Sequence, residues 1–169
     1  MDITQLILDD HQEQRRLFAI IEQIDPGDTA SLAAVWTRLA TFLEVHAETE
    51  EKIFYPALLS VGRKEGDTEN VEEETLDAIK DHNEIRDAVA AVRKETVGSA
   101  AWIAAVAAAN KANGDHMAEE EREGLTDFRR QAPLALRHDL AIRFIAYETA
   151  HVDGVEPVDK DPQTWVETH

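Results

Sequence analysis

The fold of this chain is decided by the stretch His46-Ala47-Glu48-Thr49-Glu50-Glu51-Lys52-Ile53-Phe54-Tyr55-Pro56. Residues four apart on an α-helix point in nearly the same direction and lie about 6 Å apart along the axis. The imidazole of His46 and the carboxylate of Glu50 therefore face one point in space. Nitrogen and oxygen donors that converge in this way are typical ligands of a metal ion.

The same motif occurs again seventy residues later, as His116-Met117-Ala118-Glu119-Glu120-Glu121-Arg122. A second pair of motifs interleaves with it, since Asp10-His11-Gln12-Glu13-Gln14-Arg15 matches Asp81-His82-Asn83-Glu84-Ile85-Arg86. The four histidines are then 35, 36 and 34 residues apart. This spacing predicts one histidine on each helix of an up-down-up-down four-helix bundle. It also predicts a helical hairpin that is repeated once, with two similar metal half-sites.

The composition indicates one all-α domain that is soluble and cytoplasmic. Helix-forming residues dominate, and seven glycines and five prolines are few for 169 residues. The net charge of −18 repels nucleic acids and anionic membranes, so we expect neither as a partner. The absence of cysteine means that nitrogen and oxygen atoms must hold any metal. The N-terminus has no signal-peptide pattern, and no segment approaches the roughly 20 apolar residues of a membrane span.

The apolar pattern predicts five helices separated by turn-forming residues. They span about residues 2–24, 29–55, 71–94, 100–130 and 134–149. Asp25-Pro26-Gly27-Asp28 is a predicted turn. The polar run from Gly62 to Glu74 is a predicted loop that enters the third helix near Thr68 or Asn70. We expect Pro56 to kink the last turn of the second helix rather than end it. The fifth helix is expected to pack across the bundle, and the acidic residues 151–169 to form an irregular tail.

Six residues are the predicted metal ligands, because each lies on the apolar face of its helix at a similar height. They are His11, His46, Glu50, His82, His116 and Glu120. Without a metal, their burial would carry a heavy desolvation cost, so the repeated spacing favours a metal site over scattered core or surface residues. Glu51 and Glu121 point about 100° away from their neighbours. We interpret them as supporting or surface residues, although Glu121 competes with Glu120 as a candidate ligand.

The remaining histidines and acids carry weaker patterns. Glu148-Thr149-Ala150-His151 has the Glu-x-x-His spacing of ferritin-like di-iron proteins, but those proteins need it on two helices, and we interpret it as structural. His138 and His169 have no acidic partner at helical spacing. Three aspartates precede predicted ligand histidines, namely Asp10, Asp81 and Asp115. They could orient a histidine on a neighbouring helix, but solvation is the favoured interpretation. No motif for a catalytic side chain or an organic cofactor is present.

The six predicted ligands resemble those of the hemerythrin or HHE cation-binding family. Its four helices carry, in order, a histidine, a His-x-x-x-Glu, a histidine and a second His-x-x-x-(Glu/Asp). The resemblance covers about residues 1–130, and Ile53-Phe54-Tyr55-Pro56 is similar to the family's aromatic-proline sequence. It implies a hemerythrin-like domain over residues 1–150 that is followed by the acidic tail. It also implies two non-haem iron ions, bridged by carboxylates and by an oxo or hydroxo group.

The chain departs from the oxygen-carrying hemerythrins at two positions. Those proteins have a second histidine at His-x-x-x-His spacing on the third helix, where Ala78 and Arg86 flank His82 here, and an aspartate where Glu121 stands. With one histidine fewer, the chain is more similar to bacterial HHE proteins linked to iron, nitric oxide or peroxide chemistry. The resemblance implies that it binds or reduces dioxygen, peroxide or nitric oxide. The alternative is an iron or oxygen sensor, or an iron store, without turnover.

Overall fold

The computed structural model describes residues 1–169 and contains helices but no strand. The elements in chain order are α1 (Ile3–Ile21), α2 (Thr29–Thr49), a π-helical segment (Glu50–Phe54), α3 (Tyr55–Glu65), α4 (Thr68–Val92), α5 (Ala100–Arg122), α6 (Gly124–Gln131), α7 (Leu134–Ala150) and α8 (Pro162–Thr168). The predicted all-α class is therefore confirmed. None of these helices combines the length and the apolar character that crossing a membrane requires.

Four long helices form the predicted bundle. Helix α1 packs on α2, α2 on α4, α4 on α5, and α5 on α1, which closes a ring of four. Side chains fix where three of them begin: the side-chain oxygens of Asp2, Asp28 and Ser99 accept hydrogen bonds from the backbone N–H groups of Thr4, Ser31 and Trp102, at 3.0, 3.1 and 3.1 Å. Such caps satisfy N–H groups that have no partner within the helix.

Two separate apolar clusters form the core of the bundle. One lies where α1, α2, α4 and α5 meet near the α1–α2 turn, and it includes Trp36 and Trp102 in edge-to-face contact. The other lies at the opposite end and includes Phe54 and Phe128, also in edge-to-face contact. On every bundle helix the predicted ligand histidine falls between the residues of one cluster and those of the other. The predicted site is therefore a polar layer between two apolar ones.

The π-helical segment differs from the continuous α-helix that the sequence predicted. The backbone N–H of Tyr55 donates to the carbonyl of Glu50, five residues earlier, so this turn is wider than an α-helical one. Pro56 follows directly and has no N–H to continue the α-helical ladder. As predicted, Pro56 does not end the helix, which continues as α3. The wide turn also buries both Glu50 and Glu51, which are 0% and 2% exposed.

The predicted loop from Gly62 to Glu74 is wrong over most of its length, because the chain is helical there, whereas the predicted entry into a helix near Thr68 agrees with the start of α4. Helix α3 continues to Glu65, and Gly66 ends it with a positive φ of 84°, a conformation that glycine adopts at little cost. Helix α4 then begins at Thr68. Gly62 allows α3 and α4 to approach closely, since a Cβ atom at this position would lie 2.3 Å from Val71. The polar residues of this stretch cover exposed helix faces.

The C-terminal third also differs from the prediction. The fourth predicted helix is broken at Glu123 into α5 and α6, whereas the fifth is present as α7 and packs on α1 and α2. The prediction of an irregular tail is wrong for residues 162–168, which form α8. Asp161 caps this helix by accepting from the N–H of Thr164 at 2.8 Å, and Pro162 suits its first turn. Trp165, 7% exposed, anchors it in the core.

Candidate metal centre

The structure brings the six predicted ligands together in the polar layer of the bundle. They come from α1 (His11), α2 (His46), the π-helical segment (Glu50), α4 (His82) and α5 (His116 and Glu120). None is more than 6% exposed. Because each bundle helix contributes through its core-facing side, the helical spacing read from the sequence is sufficient to place all six.

Glu50 lies at the centre of this group. Its Oε1 is 3.0 Å from Nε2 of His46 and 4.0 Å from Nε2 of His11. Its Oε2 is 3.2 Å from Nε2 of His82 and 4.0 Å from Nε2 of His116. Two compact donor groups result, and both contain Glu50. A carboxylate whose two oxygens face different histidine pairs has the arrangement required to bridge two cations.

Glu120 and Tyr55 complete the inner surface. Oε2 of Glu120 lies 3.3 Å from Nε2 of His11, beside the first donor group. The hydroxyl of Tyr55 lies 3.4 Å from Nε2 of His82. Burial, together with the charges of Glu120 and Glu50, raises the pKa of Tyr55 well above its usual value, so the phenol stays protonated. The sequence indicates no role for Tyr55 beyond its place in the aromatic-proline run.

The outer nitrogen of every one of these histidines faces a carboxylate. The Nδ1-to-oxygen distances are 2.9 Å from His11 to Glu121, 2.9 Å from His82 to Glu51, 3.4 Å from His46 to Asp10, and 3.7 Å from His116 to Asp81. A carboxylate on this side favours the tautomer that is protonated at Nδ1. The lone pair of each Nε2 is then directed to the centre, as a metal ligand requires.

Asp10 and Asp81 face His46 and His116 on the neighbouring helix, at 3.4 and 3.7 Å, although neither pair forms a hydrogen bond. This position suits the orienting role that the sequence left as the less favoured alternative to solvation. Solvation describes Asp115, which is exposed and pairs with Lys111 at 2.5 Å. The distinction depends on how the helices pack, because all three aspartates have the same position next to a histidine in the sequence.

The doubled glutamates divide into an inner and an outer member. Glu50 and Glu120 face the centre, whereas Glu51 and Glu121 each contact a histidine of the other hairpin. Glu121 lies on the Nδ1 side of His11 and also pairs with Arg15 at 2.8 Å. This position suits the supporting role and not the competing ligand role that the sequence left open for Glu121.

The ligand atoms lack partners that would justify their burial. Nε2 of His11 and of His46 and both carboxylate oxygens of Glu50 and Glu120 are buried without a hydrogen bond. An unpaired buried polar group costs about 1–3 kcal/mol. Four imidazole nitrogens with carboxylate oxygens are a donor set that iron accepts. The residues present therefore fit a pair of iron ions.

The metal-free centre compensates part of its charge with protons. Burial alone would lower the pKa of His46, but the carboxylates of Glu50, Asp10 and Glu148 outweigh it and raise that pKa well above its usual value. Burial alone would raise the pKa of Glu50, but His46 and His82 outweigh it and lower that pKa well below its usual value. Protons on the imidazoles compete with metal for the same lone pairs.

The other three histidines stay outside the centre. Nδ1 of His138 and of His151 lie 3.2 and 2.8 Å from backbone carbonyls, and His169 stacks on Trp165. The structural interpretation of the Glu-x-x-His motif suits His151 but is incomplete for Glu148, whose Oε1 lies 3.7 Å from Nδ1 of His46. No periodicity could have identified Glu148, because α7 reaches the centre through its packing on α1, α2 and the π-helical segment.

Comparison with known proteins gives one match. The family model described as the hemerythrin HHE cation binding domain matches residues 2–126, a region that contains all six predicted ligands. No curated protein and no solved structure matches the chain significantly. Helices α7 and α8 lie beyond the matched residues.

Proposed function

This chain belongs to the hemerythrin HHE cation-binding family, and we propose that it holds two iron ions and binds or reduces a small oxidant, namely dioxygen, peroxide or nitric oxide. The observation that carries this proposal is the position of Glu50, because each of its carboxylate oxygens faces a separate pair of histidine Nε2 atoms. A single cation would not need a donor set of four imidazoles that is divided in this way.

The proposed assignment gives each ion two histidines. His11 and His46 would hold one ion, and His82 and His116 the other, while Glu50 is shared between them. Glu120 lies beside His11 and would add its carboxylate. Nitrogen and oxygen ligands of this kind, without any thiolate, are suited to non-haem iron.

Bound iron would supply the electrons and the open coordination positions that a small oxidant needs. Apolar residues of the chain exclude water from the iron, and the hydroxyl of Tyr55 holds a proton beside it. Phe144 packs edge-to-face on His46 with ring centroids 5.9 Å apart, and Phe54 is completely buried nearby in the sequence. The protonated hydroxyl of Tyr55 can donate a hydrogen bond to a molecule that enters beside His82.

The opening to the centre supports a small ligand. A cavity of about 20 Å³ lies between α4 and the α5–α6 junction, with Tyr55, His116 and Glu120 on its buried side. This volume accommodates about one water-sized molecule. Acidic residues surround its solvent side, namely Glu74, Asp77, Asp81, Glu119 and Glu123. This small volume favours a ligand of about the size of a diatomic molecule over a larger organic substrate.

The proposed function is tested by the metal content and the reactivity of the purified protein. We expect about two irons per chain and charge-transfer absorption in the near ultraviolet. After anaerobic reduction, mixing with dioxygen, hydrogen peroxide or nitric oxide in a stopped-flow spectrometer should consume oxidant in proportion to the iron. Folded protein that takes up no iron from an iron-supplemented culture would refute the metal proposal. Iron-loaded protein that consumes none of the three oxidants would support a sensor or a store instead.

A further inference from the structure

The C-terminal segment returns to the metal centre from outside the family-matched residues. Lys160, which lies between α7 and α8, is fixed against α4 by a reciprocal pair of hydrogen bonds with Asn83. The N–H of Lys160 donates to Oδ1 of Asn83 at 3.0 Å, and Nδ2 of Asn83 donates to the carbonyl of Lys160 at 2.7 Å. Asn83 follows the ligand His82 directly in the sequence, so this pair anchors Lys160 beside the centre.

The side chain of Lys160 reaches a buried carboxylate of the centre. Its ammonium contacts Oε2 of Glu51 and lies 3.0 Å from Oε2 of Glu48. The other oxygen of Glu51 accepts hydrogen bonds from Nδ1 of His82 at 2.9 Å and from Arg86 at 2.6 Å. The Glu51 side chain is 1% exposed. Glu51 is therefore a buried anion held between one imidazole and two cations.

The equivalent position in the other hairpin is built differently. Glu121, which faces Nδ1 of His11, pairs only with Arg15, and their side chains are 27% and 36% exposed. Water can screen that carboxylate, whereas Glu51 depends on protein cations for compensation. The two halves of the centre thus have similar inner ligands. They differ in how the charge is compensated on the carboxylate that faces Nδ1 of a histidine.

We propose that Lys160 is a positioning residue of the metal centre, which holds Glu51 in place against His82 and offsets its negative charge. A carboxylate bonded to Nδ1 makes the imidazole a stronger donor through Nε2, and a cation on that carboxylate weakens this effect. Lys160 therefore makes the His82 half of the centre different from the His11 half. This inference depends on the proposed iron site.

The test compares Lys160→Met with Lys52→Met. Lys52 also pairs with Glu48, at 3.0 Å, so both variants remove one positive charge beside the same glutamate, but only Lys160 contacts Glu51. For Lys160→Met we expect the iron-loaded protein to lose iron to a chelator about tenfold faster, the usual size of such outer-contact effects, because Glu51 is no longer held against His82 and this loss outweighs the stronger donation from the imidazole. We also expect a lower midpoint potential, because the negative charge of Glu51 is no longer offset. Lys52→Met and Lys160→Arg should both match the wild type in the rate of iron loss and in the midpoint potential.

Asn83→Ala provides a second test if Lys160→Met does not fold. It keeps the ammonium but removes both hydrogen bonds that anchor the Lys160 backbone, together with the 3.2 Å bond from Nη1 of Arg86 to Oδ1 of Asn83. The bond from Nη2 of Arg86 to Glu51 does not involve Asn83, and we expect faster iron loss than in the wild type. Unchanged iron loss and midpoint potential in Lys160→Met, or in Asn83→Ala where Lys160→Met does not fold, would overturn the inference. A wild-type protein that holds no iron would instead overturn the proposed function, so the two failures are distinct.

Discussion

Chelation of the metal is expected to destabilise the folded chain, and the size of the effect follows from the buried ligand atoms. Six of them have no hydrogen-bond partner without a metal: Nε2 of His11 and of His46 and the carboxylate oxygens of Glu50 and Glu120. At the low end of the cost of an unpaired buried polar atom, about 1 kcal/mol each, they destabilise the metal-free fold by at most about 6 kcal/mol. Attraction between protonated imidazoles and carboxylates, such as His46 and Glu50 at 3.0 Å, offsets part of this cost.

Binding linkage gives a similar figure. An ion at a thousand times its dissociation constant stabilises a fold by about 4 kcal/mol, so two ions give about 8 kcal/mol. For a domain of this size each kcal/mol changes the melting temperature by about 2–4 °C. We therefore expect the iron-loaded protein to melt about 15 °C or more above the chelated protein.

Differential scanning calorimetry of both forms measures this difference. Glu50→Ala removes the shared ligand, so its melting temperature should respond little to added iron. Glu119→Ala removes a neighbouring carboxylate that contacts none of the histidines, and it should keep the full difference. A change of less than about 3 °C in the wild type, with complete removal of iron shown by metal analysis, would contradict the reasoning from unpaired atoms.

Three further outcomes are expected. His46→Ala and His116→Ala should each reduce the iron content at least by half, while His138→Ala and His169→Ala should leave it unchanged in elemental analysis. The reduced protein should be oxidised by dioxygen or peroxide irreversibly, and recovery of its reduced spectrum under argon would show an oxygen carrier instead. Burial and the nearby Asp127 raise the pKa of Glu74 to about 7, so its ionisation destabilises the fold as the pH rises from 4.5 through 7. Denaturant unfolding should show Glu74→Gln more stable than the wild type by about 1 kcal/mol at pH 8, after allowance for solvent screening of this half-buried group, and no more stable at pH 4.

The convergence of the six predicted ligands could be predicted from the sequence because helical geometry alone places them on the core-facing sides of their helices. His46 and Glu50 are one turn apart, and the repeat supplies a second pair on another helix, so no knowledge of tertiary packing is required. The outer carboxylates are different. Asp10 and Asp115 both precede a ligand histidine, yet only Asp10 faces a neighbouring helix, and the sequence does not contain that distinction.

The missed helices have a related cause. Residues 62–74 are polar because they cover exposed faces of α3 and α4, and their few buried positions, such as Val71, are too sparse to show a period. Helix α8 is seven residues long, which is too short for any periodic pattern. Lys160 lies just before this helix, and no spacing rule connects it to Glu51.

The contacts of the outer glutamates show why the two hairpins form one site. Glu51 of the first hairpin faces His82 of the second, and Glu121 of the second faces His11 of the first. For both His82 and His11, the histidine belongs to one hairpin and the glutamate that orients it belongs to the other. Glu50 also connects the two hairpins, because its oxygens face histidines of both. Metal binding at this centre must therefore stabilise the contact between the hairpins, and loss of that contact must release the metal.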